Sequence, residues 1–128
     1  IKEVDISLPT LLVVSGVYQY FKEEKILSMI SDMKDRITNG ELVFDATNSA
    51  GLKLANKYVK KTGNKDAQMH FSIDDPIEFA NKTQTELLSL DGFFKDALKI
   101  CKGLKFMTRV YMYFADKLNR TLIMHLKL

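Results

Sequence analysis

The residues with the best claim to chemistry lie in the segment Ser15-Gly16-Val17-Tyr18-Gln19-Tyr20, directly after the apolar run Leu11–Val14. In an open parallel sheet, ligands bind outside the carboxyl ends of the strands, and this segment leaves such an end. Gly16 permits close backbone approach. Tyr18 and Tyr20 each offer a ring face and a hydroxyl, to a ligand or merely to the packing of the following helix on the sheet. Pattern alone does not choose between the two. Asp45, at the end of the next apolar run, sits on the same rim, where it could orient a polar ligand group or cap the turn toward Ser49.

Other chemistries find less support. His70 and His125 stand far apart in the chain and read as structural or surface histidines rather than metal ligands, so no metal site is expected. Asp74 and Asp75 form a carboxylate pair, but Asp75 is explained by helix capping. There is no G-x-G-x-x-G and no G-x-x-x-x-G-K-[ST], so no glycine-rich loop can cradle a phosphate. Ser15-Gly16 lacks the first glycine of a nucleophile elbow.

The elements that must position these residues follow from periodicity. Leu11–Val14 is unbroken and apolar, as suits a strand buried on both faces. A helix is predicted over 21–37, with Ile26, Ile30, Met33 and Ile37 on one face and Gly40 free to close it in a left-handed conformation. Leu42–Phe44 predicts a second buried strand. A helix capped by Asn48 or Ser49 runs to about Lys61, with Leu52, Ala55, Tyr58 and Val59 inward, and ends at Gly63. Residues 69–73 alternate as a half-exposed extended segment. Asp75-Pro76 starts a short helix. Leu87–Leu90 predicts a strand closed by Asp91-Gly92. Residues 93–118 read as helical with a break at Gly103, and Thr121–Leu128 alternates as a final strand whose direction the pattern leaves open. The succession predicts an α/β fold.

Composition bounds the rest. The chain has 128 residues, the length of one domain, with 19 basic and 16 acidic residues and a net charge of +3. That balance argues against a nucleic-acid partner. Lys57, Lys60, Lys61 and Lys65 read as the solvated end of a helix. One cysteine, Cys101, rules out a disulfide within the chain and fits a reducing cytoplasm; its apolar neighbours suggest a small core residue. No long apolar run predicts a membrane span, so no membrane partner is expected. The start at Ile1, shortly before the first strand, is what a proteolysed or engineered fragment, or a chain that has lost a tag, would show, and a fragment is the expectation.

The stretches LLVVSGVYQYF, GELVFDATNSAGLKLANKYVKKTG, FSIDDPIEFA and the closing TLIMHLKL, in this order over nearly the whole chain, resemble the leucine carboxyl methyltransferase and tetracenomycin-type polyketide O-methyltransferase family. The resemblance implies an S-adenosylmethionine-dependent enzyme of the three-layer class I methyltransferase (Rossmann-like) fold. Residues 1–128 would be its C-terminal half, supplying strands four to seven, with the last strand antiparallel between the two before it. The upstream half, with the glycine-rich cofactor loop, would be absent, and the fragment alone inactive. Tyr20, with Tyr18 beside it, would face a small-molecule or carboxylate acceptor, and Ser15 and Gly16 would border the S-adenosylmethionine. The family has an acidic residue where Ser15 stands, which leaves the acceptor open. The competing expectation is a non-catalytic interaction module reusing the half-fold, whose unpaired sheet edge would favour a homodimer.

Overall fold

The computed structural model describes residues 5, 8–64 and 67–128; Lys65 of the predicted basic run lies outside them. The elements in chain order are β1 (Thr10–Val14), a single 3-10 turn (Tyr18–Tyr20), α1 (Glu23–Arg36), β2 (Gly40–Thr47), α2 (Ser49–Thr62), α3 (Pro76–Thr83), β3 (Glu86–Gly92), α4 (Lys95–Ile100), α5 (Phe106–Lys117) and β4 (Thr121–Lys127). The four strands make one open mixed sheet in the order β1-β2-β4-β3. β1 and β2 are parallel, with Leu12 beside Leu42 and Val14 beside Phe44. β4 runs antiparallel to both neighbours and lies between β2 and β3, as expected.

Alternation along the strands creates one dry face. Leu42, Phe44 and Ala46 of β2 and Leu122, Met124 and Leu126 of β4 are buried, with Leu12, Val14 and Leu87 packed at their margin. α1 contributes Ile26 and Ile30, and α3 contributes Phe79 and Ala80. The rings of Tyr18, Phe44, Phe79 and Phe71 meet edge to face in a chain, with centroids 5.2, 6.1 and 5.6 Å apart. Such pairs add about 0.5–1.5 kcal/mol each beyond the area they bury. Lys34 of α1 donates to the carbonyls of Thr83 and Gln84 at 2.9 and 2.7 Å, satisfying the end of α3 and fixing the two helices together.

The other face differs from the three-layer expectation. Leu11 and Val13 of β1 point that way and are 58% and 66% exposed, so they are not the doubly buried strand residues that an unbroken apolar run suggests. The buried core cluster, with α1 and α3 packed on it, lies on the face built on Leu42 and Met124.

Local signals hold at most ends. Asn48 caps α2, Gly63 ends it at φ +76°, and Asp75 caps α3 with Pro76 at its first position. The helical stretch after β3 breaks around Gly103, and Asn119 turns the chain at φ +49°. Gly40 departs from expectation. It keeps ordinary backbone angles and opens β2, where a Cβ would press on Ile37 at 2.9 Å and Leu128 at 3.0 Å, so its smallness is used for close approach. Residues 69–73 are extended without joining the sheet. Phe71 and Ile73 are buried there, and the Ile73 N–H donates to the Thr47 carbonyl at 2.9 Å.

Candidate functional site

The parallel strands β1 and β2 deliver their carboxyl ends to one rim. Past Val14 the chain turns at Gly16, whose φ of +67° favours glycine. The Gly16 N–H donates to the Asp45 carboxylate at 2.5 Å, across 29 positions of sequence. Asp45 therefore fixes the turn after β1. The Ser49 N–H that it might have capped is taken by Asp74 at 2.8 Å. Ser15, Gly16 and Val17 are exposed, and a Cβ on Gly16 would meet nothing nearer than Gln19 at 4.0 Å.

The two tyrosines part company within one turn. Tyr20 is exposed at the surface. Tyr18 is a core residue, its ring edge-on to Phe44, and its buried hydroxyl has no hydrogen-bond partner among the described residues. Burial pushes the phenol up to about 12, because the phenolate would lose its hydration there.

Next to this rim, on the α2 side, lies an open cleft of about 640 Å³. Its lining includes Gln19, Asp45, Thr47, Tyr58, Tyr111 and Arg120. Of the rim residues singled out in the sequence, Asp45 lines it. Ser15, Gly16, Tyr18 and Tyr20 do not, although Gln19, between the tyrosines, does. Gln19 is itself anchored, since its carbonyl accepts from the backbone N–H groups of His70 and Phe71 at 2.7 and 3.3 Å.

The cleft exists because α2 is held by polar tethers rather than packed flat. The Asn48 side chain accepts from the Gly51 N–H at 2.8 Å and donates to the Leu118 carbonyl at 3.0 Å. Asn56 clamps Met69 through both its N–H and its carbonyl, at 2.9 and 2.8 Å. None of the helix's residues is buried. Tyr58, expected on its inner face, is 71% exposed and stands over the cleft instead. Lys57 and Lys61 of α2 join Arg120 on the lining, and none of the three forms an ion pair among the described residues. With the Asp45 carboxylate turned to Gly16, the cleft carries excess positive charge. It suits a polar or anionic small molecule with a flat part for Tyr58 and Tyr111.

The remaining chemistry-bearing residues are elsewhere. The His125 ring lies 2.7 Å from the Glu41 carboxylate on the open sheet face. Cys101 is exposed rather than in the core, because the apolar stretch around it forms a turn between two helices. Among the described residues no group of three His, Cys, Asp or Glu could hold a metal ion, and no helix is long and apolar enough to cross a membrane. No protein-family model matches the chain, and no curated protein matches it.

Proposed function

We propose that the chain is the acceptor-side part of an S-adenosylmethionine-dependent methyltransferase, acting by O-methyl transfer on a small molecule or carboxylate. The observation that carries the reading is the sheet. Its order β1-β2-β4-β3, with two parallel strands and a final antiparallel strand inserted before the last neighbour, is the order that the sequence resemblance implies for strands four to seven. The exposed turn at Ser15 and Gly16 has room for a ligand to approach, and these two residues would border the cofactor. Tyr20 and the cleft beside Asp45 would face the acceptor. Tyr18 supports that wall from the core.

S-adenosylmethionine, when bound, supplies a methyl group already activated on a sulfonium. A carboxylate acceptor would bring no proton to remove, whereas a hydroxyl acceptor would give its proton up to solvent as its oxygen takes the methyl group. The chain's task is to orient an acceptor oxygen and to exclude water. The tie from Asp45 to Gly16 holds the rim in one shape, and the cations Lys57, Lys61 and Arg120 would orient an acidic acceptor. The glycine-rich grip on the donor has no counterpart in these 128 residues, so the reading places it in an upstream segment of the parent protein.

The test is calorimetric titration of S-adenosylmethionine against this chain and against the product of the whole encoding gene. Binding by the whole product and very weak or no binding by this chain is the expected result. An open frame that begins at Ile1, with no upstream half, would sink the proposal. A second reading, an interaction module without catalysis, is favoured by the exposed Leu11 and Val13 and by the outer edge of β1, which pairs with no strand among the described residues.

A further inference from the structure

We infer that the turn between α4 and α5 is a membrane-surface contact that docks on anionic lipid. Residues 99–108 are all exposed except Leu104. Within them Ile100, Phe106 and Met107 are 76%, 77% and 73% exposed, the most exposed large apolar side chains among the described residues. Lys99, Lys102 and Lys105 alternate with them, and the segment holds no acidic residue. The nearest carboxylate partner is Asp96, 3.0 Å from Lys99 and itself in water. Lys102 and Lys105 form no ion pair among the described residues.

The knuckle has a defined shape. The Arg109 guanidinium donates to the carbonyls of Leu98 and Cys101, both at 3.1 Å, so it closes the end of α4 onto α5 and holds the apolar tip outward. Aliphatic and aromatic side chains at a protruding tip, collared by lysines, match a headgroup layer. The apolar groups enter the acyl boundary while each ammonium meets a lipid phosphate or carboxylate. Charge decides among occupants. A second copy docked symmetrically through the same tip would set lysines against lysines, whereas an anionic bilayer is attractive to all three. The missing transmembrane span is no objection, because the contact is peripheral.

Flotation through a density gradient tests the inference, since self-aggregated protein stays at the bottom. With phosphatidylserine-containing vesicles at low salt the chain floats. With pure phosphatidylcholine, or at high salt, it stays down. The pairs Lys102→Glu with Lys105→Glu, and Phe106→Ser with Met107→Ser, each lower partitioning at least about tenfold. Lys53→Glu, on α2, leaves it within about twofold. The substituted side chains are exposed, and circular dichroism reports whether each variant keeps its fold. The inference is overturned by no flotation on either vesicle, by equal flotation on both, or by flotation that the knuckle variants leave unchanged.

Discussion

The Asp45 carboxylate accepts the Gly16 N–H at 2.5 Å, and this one bond joins the turn after β1 to the end of β2. An ionised acceptor on a backbone N–H is stronger than a neutral one, though water competes at this exposed site. Asp45→Ala should cost about 1 kcal/mol, read as a lower urea midpoint. Asp45→Asn keeps an accepting oxygen and should recover at least half of that loss. If the rim is the ligand-binding edge, Asp45→Ala also weakens ligand binding in the whole gene product by more than its stability loss accounts for.

Tyr18 carries a hydroxyl into the core without a partner among the described residues. Removing it should help the fold, because a buried donor left unpaired costs about 1–3 kcal/mol. Tyr18→Phe is therefore expected to be more stable at neutral pH, by about 1 kcal/mol, in chemical denaturation.

The same residue sets a pH dependence at the alkaline end. The folded phenol titrates at about 12, above the ordinary tyrosine value. The unfolded chain releases this proton from about pH 10 upward while the folded chain retains it. The contribution is complete below the unfolded value and is lost as pH rises toward the folded one, about 3 kcal/mol in all. Denaturation midpoints of the native chain should fall between these two pH values. In Tyr18→Phe that part of the fall disappears, and an identical slope in both proteins would refute the assignment.

Much of this fold is legible in the residues, and the exceptions share a cause. Caps such as Asn48, Asp75-Pro76 and Gly63 act within a few residues, so local spacing reveals them. The Gly16–Asp45 bond spans 29 positions and has no local signature. Tyr58 lies on the apolar stripe of α2 and reads as inward. Asn48 and Asn56 hold that helix by its polar groups, and the stripe overlooks a cleft. Cys101 misleads in the same way, since the apolar residues around it belong to an exposed turn. Arg120 and Tyr111 enter the cleft through tertiary packing, for which no spacing rule gives warning. For Tyr18 the pattern offered a ligand contact or a packing role, and the structure has its ring in the core.

Gly51 is required by a close approach that opposes helix propensity. A Cβ there would collide with the Thr47 hydroxyl oxygen and with the backbone carbonyl of Arg120. In an exposed helix Gly→Ala gains about 1 kcal/mol. Here overpacking against backbone should reverse the sign and cost about 1–3 kcal/mol. Gly63→Ala is also unfavourable, but through its φ of +76° and with nothing within 4 Å of the added atom. Thermal denaturation of the two variants should show the larger loss for Gly51→Ala, and equal losses would argue against the close approach.

The outer edge of β1 pairs with no strand among the described residues, and its sequence Thr-Leu-Leu-Val-Val contains no charge to deter pairing. Edge strands are commonly guarded by lysine, proline or a bulge, and this one has none of the three within its span. Two copies meeting antiparallel along β1 would continue the sheet and shelter Leu11 and Val13 on its open face. Sedimentation velocity is expected to show concentration-dependent dimers. Val13→Lys places an ammonium on the open face of that edge strand and should shift the chain to monomer, with at least about a tenfold weaker dimer constant, since like charges directly opposed are destabilising. Val13 is two-thirds exposed, so the substitution leaves the core intact and the monomer should unfold at an unchanged urea midpoint. A chain that is monomeric at all concentrations, or dimers indifferent to Val13→Lys, would place self-association elsewhere or remove it.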